Sequence, residues 1–286
     1  MGALFIVVDI AALLLVGPFI DVGLFAFGDT GDPVNVAYFV LMMISTTGFV
    51  LAIRRFSGGA LVKWILRGAI GVSIFSTFYS LSWGVLGDPA AFITSAVSAL
   101  LCVLALSKWP RWYVINFVAL LLGAMTTAVL GISLSPPLVS ALLILLSVYD
   151  AIAVYKTRHM LGLAEVILNS GLPLVLIIPR HGGYVDGQKV TIQSGGTSGE
   201  RRAFYMGLGD LIIPGCLAVS VYSVLGISGL PVIAVIIIGT LLGFAVLATY
   251  VARGNPQAGL PFLCSGAILG YVFSSYLFFG KLVGLL

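Results

Sequence analysis

The chain alternates long apolar runs with short polar connections. A helix needs about 20 apolar residues to cross the hydrocarbon of a bilayer. Nine runs meet or approach that length: 3–27, 34–53, 65–86, 90–107, 114–132, 137–155, 203–227, 230–251 and 261–283. This pattern predicts an all-α polytopic membrane protein with nine transmembrane helices. Residues 1–286 then form a single membrane domain. Spans one to six lie in 1–159, the one long connection is 160–202, and spans seven to nine lie in 203–286.

The long connection is itself patterned. Leu161, Leu163, Ile167 and Leu168 give 160–171 the spacing of a short interfacial helix. Leu172–Ile178 is apolar but too short to span, and reads as an extended or re-entrant piece. Residues 181–202 are rich in Gly, Ser and charge, which predicts a flexible loop. Val190–Ile192 inside it has strand propensity, so a hairpin with Leu174–Ile178 is expected.

Composition agrees with the pattern. The 286 residues are 60% hydrophobic and 8% charged, against roughly 25% charged in a soluble domain. Mean hydropathy is +1.17. The net charge of +4 reports orientation before it reports ligands, and no nucleic-acid partner is expected. Arg54, Arg55, Lys63, Lys108, Arg111, Lys156, Arg158, Arg180, Lys189, Arg201, Arg202 and Arg253 fall in connections that share one side of a nine-span chain. Asp21, Asp29, Asp32 and Asp88 lie in or near the opposite connections. The positive-inside tendency then predicts a cytoplasmic N-terminus, a cytoplasmic 160–202 loop and an outside C-terminus, in the cell membrane. Trp64, Trp109 and Trp112 near basic span ends, and Trp83 near the other face, read as aromatic belts. No basic, short apolar and cleavable leader is seen.

Against this background the candidate chemistry stands out. Asp150 and Asp210 are each the only charged residue in their apolar runs. A carboxylate at bilayer depth costs at least about 2.5–3.5 kcal/mol, so it seldom persists without a task. Measured along helices from the same cytoplasmic face, the two acids lie at about 9 and 12 Å. Carboxylates that meet at close range share a proton. One member then takes a proton from water while the other polarises a carbonyl, which is acid–base hydrolysis without a metal or a covalent intermediate. Gly207 and Gly209 beside Asp210 should let another backbone approach. Pro214 should disturb the helix one turn on.

Cys102, Cys216 and Cys264 fall in apolar runs without metal-ligand spacing, and His159 and His181 have no companion ligands. No metal and no cofactor are expected. Asp9 is a third acid in an apolar run and reads chiefly as an interface residue.

Three elements together resemble the presenilin and signal peptide peptidase family of GxGD-type intramembrane aspartyl proteases. A Tyr-Asp in span six is matched by Tyr149-Asp150, and a Gly-x-Gly-Asp in span seven by Gly207-Leu208-Gly209-Asp210. Where the family has Pro-Ala-Leu at the start of span nine, this chain has Pro261-Phe262-Leu263, with Phe262 in place of alanine. The resemblance implies that Asp150 and Asp210 are the catalytic pair, and that Tyr149, Gly207, Leu208, Gly209 and Pro261–Leu263 shape the site. It implies substrates that are single-span transmembrane proteins within the lipid bilayer, and a six-to-seven loop that gates access. The compact chain is most similar to an archaeal presenilin homologue. A homo-oligomer is left open. The rival reading is a proton- or ion-coupled secondary transporter using the same carboxylates, although no internal repeat supports it.

Overall fold

The computed structural model describes residues 1–109, 111–154, 175–179, 203–252 and 257–284. Among them the apolar runs fold as eight α-helices: α1 (Gly2–Val22), α2 (Val34–Leu86), α3 (Asp88–Lys108), α4 (Trp112–Ser133), α5 (Pro136–Ile152), α6 (Leu208–Leu225), α7 (Leu230–Ala252) and α8 (Leu260–Phe279). Two short strands, β1 (Val175–Pro179) and β2 (Ala203–Gly207), and a 3-10 turn at Gly226–Gly229 complete the described elements. Six helical stretches are long and apolar enough to cross a membrane, and one of them, Leu208–Val251, contains both α6 and α7. Val34–Thr46 and Pro136–Ile152 are apolar but shorter.

The helix surfaces are those of a lipid-facing bundle. Leu14, Val85, Ile227 and Leu269 are each at least 70% exposed, a display that water would not tolerate across a whole molecule. Helix ends carry ordinary stop signals. Gly23 and Gly280 take left-handed conformations after α1 and α8, where a side chain would be strained. Pro136 and Pro137 open α5, where a missing N–H costs nothing.

Spans two and three do not separate as the sequence pattern suggests. Residues Val34–Leu86 run as one helix of 53 residues. At 1.5 Å per residue that is about 80 Å, more than twice the hydrocarbon thickness. Ser57, Gly58 and Gly59 lower helix propensity there but do not by themselves end a helix.

Among the described residues, the segment expected to form a hairpin pairs with the start of the seventh apolar run. β1 pairs antiparallel with β2, Val175 opposite Gly207 and Leu176 opposite Met206. The run 203–227, read as one span, is therefore strand over its first five residues and helix only from Leu208. Ala203–Gly207 is apolar and aromatic, which suits a strand as well as a helix. Val190–Ile192, the 160–171 segment, the Gly/Ser-rich loop and both histidines lie outside the described residues.

Helix α6 is the centre of the bundle and packs on α1, α4, α5, α7 and α8. It is buried almost all round from Pro214 to Val221, as its unbroken apolar composition demands. The hairpin sits against α4, with fully buried Leu176 in one cluster with Phe5, Leu208, Leu211 and Leu263. Helices α7 and α8 pack backbone on backbone. A Cβ on Gly239 or Gly266 would strike the other residue's carbonyl oxygen, and one on Gly270 would lie 2.7 Å from the Val235 carbonyl oxygen. Small residues permit such contact between membrane helices. That contact fixes where the first turn of α8 lies.

Candidate active site

Asp150 and Asp210 reach the site from opposite helix ends. Asp150 is near the C-terminus of α5, and Asp210 is in the first turn of α6. The strand–helix change at Gly207 sets the second position: Gly207 is extended (φ −63°, ψ 136°) and is both the last residue of β2 and the N-cap of α6. An acid in a first helical turn faces main-chain N–H groups that favour negative charge.

The two acids meet a shared stretch of backbone. The Leu260 N–H donates to Asp150 Oδ2 at 3.1 Å. On Asp210, a Cβ added to Gly259 would lie 3.2 Å from Oδ2 and 3.4 Å from Oδ1. Asp150 is 8% exposed, and Asp210 is partly buried. Ser147, one turn before Asp150, donates to the Leu143 carbonyl at 2.7 Å and lies 3.5 Å from the Leu260 carbonyl oxygen. The start of α8 is thus held against α5 beside the acid.

Other expected site residues divide. Pro261 occupies the first turn of α8. Leu263 is fully buried in the cluster beneath the hairpin. Phe262 turns away toward α7, its ring 5.6 Å from that of Tyr250, and its carbonyl lies against Gly243. Leu208 is buried against Gly123 of α4. Tyr149 does not join the acids. It is 60% exposed and lines an apolar groove of about 570 Å³ between α2 and α5 with Val40, Met43, Ile44, Gly48, Leu145 and Ile152 among others.

The glycines beside Asp210 leave the space next to it open. Nothing lies within 4 Å of a Cβ built on Gly209, and around Gly207 the neighbour is the Asp210 carboxylate, 3.5 Å away. The close approach of a second backbone is made instead at Gly259, which the sequence pattern does not single out. Asp9 also departs from expectation. It is 3% exposed and packs against Gly215 of α6, so it belongs to the bundle interior. No cluster of three or more His, Cys, Asp or Glu able to hold a metal occurs among the described residues.

A lipid-facing helical bundle that brings two carboxylates to one turn of backbone defines a membrane protein with an interior acid pair. The model of the signal-peptide peptidase, presenilin aspartyl protease family matches residues 2–281, and the chain belongs to that family. Two solved structures, each described as a presenilin family intramembrane aspartate protease, share its fold. The one in space group P2 is 33% identical with a TM-score of 0.74, covering 97% of this chain and 96% of that one. The one in space group C222 is 30% identical with a TM-score of 0.70, again covering 97% and 96%. None of the curated protein sequences matches the chain. The chain is an intramembrane aspartyl protease, and the transporter reading finds no support.

Proposed function

We propose that Asp150 and Asp210 are the catalytic pair of an intramembrane endopeptidase that hydrolyses peptide bonds within single-span transmembrane substrates. The observation that carries this is the convergence of both acids on the Gly259–Leu260 backbone. An N–H group can donate only to a lone pair, so Asp150 Oδ2 enters the reaction as an acceptor. The pair holds one shared proton. One carboxylate draws a proton from water, which attacks the scissile carbonyl. The protonated member donates to the carbonyl oxygen, and the collapsing tetrahedral centre expels the amine as it takes up a proton.

A helical substrate must unwind before its carbonyl is accessible. The outer edge of β1 supports strand addition beside Asp210, because β2 leads directly into the turn that bears the acid. The groove past Tyr149 offers an apolar path between α2 and α5. Gly207, Leu208, Gly209 and Pro261–Leu263 shape the site around the pair.

Nine crossings follow if the two apolar parts of α2, Val34–Thr46 and Trp64–Leu86, are counted separately, together with α1 and α3–α8. The basic connections put the N-terminus and the 160–202 loop in the cytoplasm, the C-terminus outside and the protein in the cell membrane.

The experiment is proteolysis of a single-span substrate by purified protein, beside Asp150→Ala and Asp210→Ala. Cleavage by the parent protein, lost by about 10²–10⁴-fold or more in both variants, is expected. Intact substrate with the parent protein, together with acid-dependent ion flux in vesicles, would contradict the reading.

A further inference from the structure

Asp9 is the acid the catalytic account does not use. It sits on α1 with 3% of its surface exposed, and its Oδ1 has no hydrogen-bond partner among the described residues. Across from it on α4, Thr127 is fully buried and its Oγ1 also lacks a partner. Both side chains press on one residue of α6. A Cβ added to Gly215 would strike Asp9 Oδ1 and lie 3.0 Å from Thr127 Cγ2. The nearby Cys216 thiol is already committed to the Ile212 carbonyl at 3.1 Å. An unpartnered buried carboxyl is costly to stability, and a local cost without a local gain marks a functional position.

The place on α6 gives the cost a purpose. Gly215 follows Pro214, which has no N–H to give the Asp210 carbonyl. The main chain therefore ties the turn carrying Asp210 less firmly to the rest of α6. Side packing must set its angle instead. Leu208 lodges against Gly123 within that turn, and Asp9 lodges against Gly215, just beyond Pro214. From Gly215 back to Asp210 is five residues, about 7.5 Å along a helix.

We infer that Asp9 is a positioning residue for the acid pair, its carboxyl wedged between Thr127 and Gly215 next to Pro214 so that the first turn of α6 presents Asp210 to the site. The inference rests on the aspartyl-protease reading. It assigns Asp9 no contact with substrate, and so separates the effect on turnover from the effect on binding.

The test measures kcat and KM for cleavage of a single-span substrate by folded, monodisperse protein, with Asp210→Ala as the inactive control. In Asp9→Ala, kcat should fall at least tenfold while KM stays within twofold. Asp9→Asn keeps the shape of the wedge and should retain at least half of the parent kcat. Gly215→Ala should slow turnover like Asp9→Ala. The double variant should exceed either single variant, since the new methyl occupies the space the carboxyl leaves. A parent-like kcat in Asp9→Ala, or Asp9→Asn as slow as Asp9→Ala, overturns the inference. If Asp9→Ala does not fold, a parent-like kcat in Gly215→Ala overturns it. Failure of the protease reading would look different, because the parent protein itself would leave the substrate intact.

Discussion

At the scale of single residues, the site is two side chains and a turn of backbone. Asp150 and Asp210 could be singled out in the sequence as the proposed pair because a lone charge in an apolar run is expensive. Gly259 and Leu260 could not, because the groups that meet the acids are main-chain atoms, which any residue would supply. Gly259 is the exception only in what it lacks. Replacing it by alanine puts a methyl 3.2 Å from Asp210 Oδ2, so the carboxylate must shift by a few tenths of an ångström. A fall in kcat of about tenfold, equivalent to ~1.4 kcal/mol, with little change in melting temperature, is expected from steady-state kinetics and thermal unfolding. Gly209 provides the contrast, since its surroundings are open. Gly209→Ala should leave stability unchanged or raise it by up to about 1 kcal/mol, while kcat/KM falls because substrate backbone needs that space. Proton sharing predicts a bell-shaped pH–rate profile: at low pH both acids are protonated and no base remains, and at high pH both are ionised and no acid remains. A profile flat across several pH units would be inconsistent with two acids in these roles.

At the scale of elements, the placement of the acids depends on three joints. The first is the strand–helix change at Gly207, which the apolar run Ala203–Gly207 concealed because its residues suit either conformation. The second is Pro214, which α6 carries inside one continuous helix and which leaves the Asp210 carbonyl without its helical N–H donor. The third is the α7–α8 contact through Gly239, Gly266 and Gly270, which holds the first turn of α8 against Asp150. The abundance of glycine in the spans suggested close packing, but which helices touch depends on tertiary arrangement. Gly266→Leu should force α7 and α8 apart, at a cost of about 1–3 kcal/mol or more. Activity should fall even in protein that remains folded, as read by circular dichroism beside the cleavage rate. The joining of the second and third apolar runs into one helix could not be anticipated, because Ser57-Gly58-Gly59 weakens a helix without forbidding it.

At the scale of the whole molecule, the apolar exterior is that of an integral membrane protein, and the proposed orientation puts the proposed pair at the cytoplasmic end of α5 and α6. The fold class was readable because twenty-residue apolar runs have few other uses. The lateral arrangement was not, because hydropathy fixes depth and leaves the neighbours of each helix open. Orientation makes its own prediction: mass-mapped products should show cuts toward the cytoplasmic end of the substrate helix, and cuts near the outer end would contradict both depth and orientation. The central claim is that Asp150 and Asp210 act together on one water. It is tested most directly by the separation of their carboxylate oxygens in an experimental structure with a substrate helix bound. A water hydrogen-bonded to both needs a separation of about 6 Å or less, and we expect that value; a substrate-bound separation beyond about 8 Å would contradict the account.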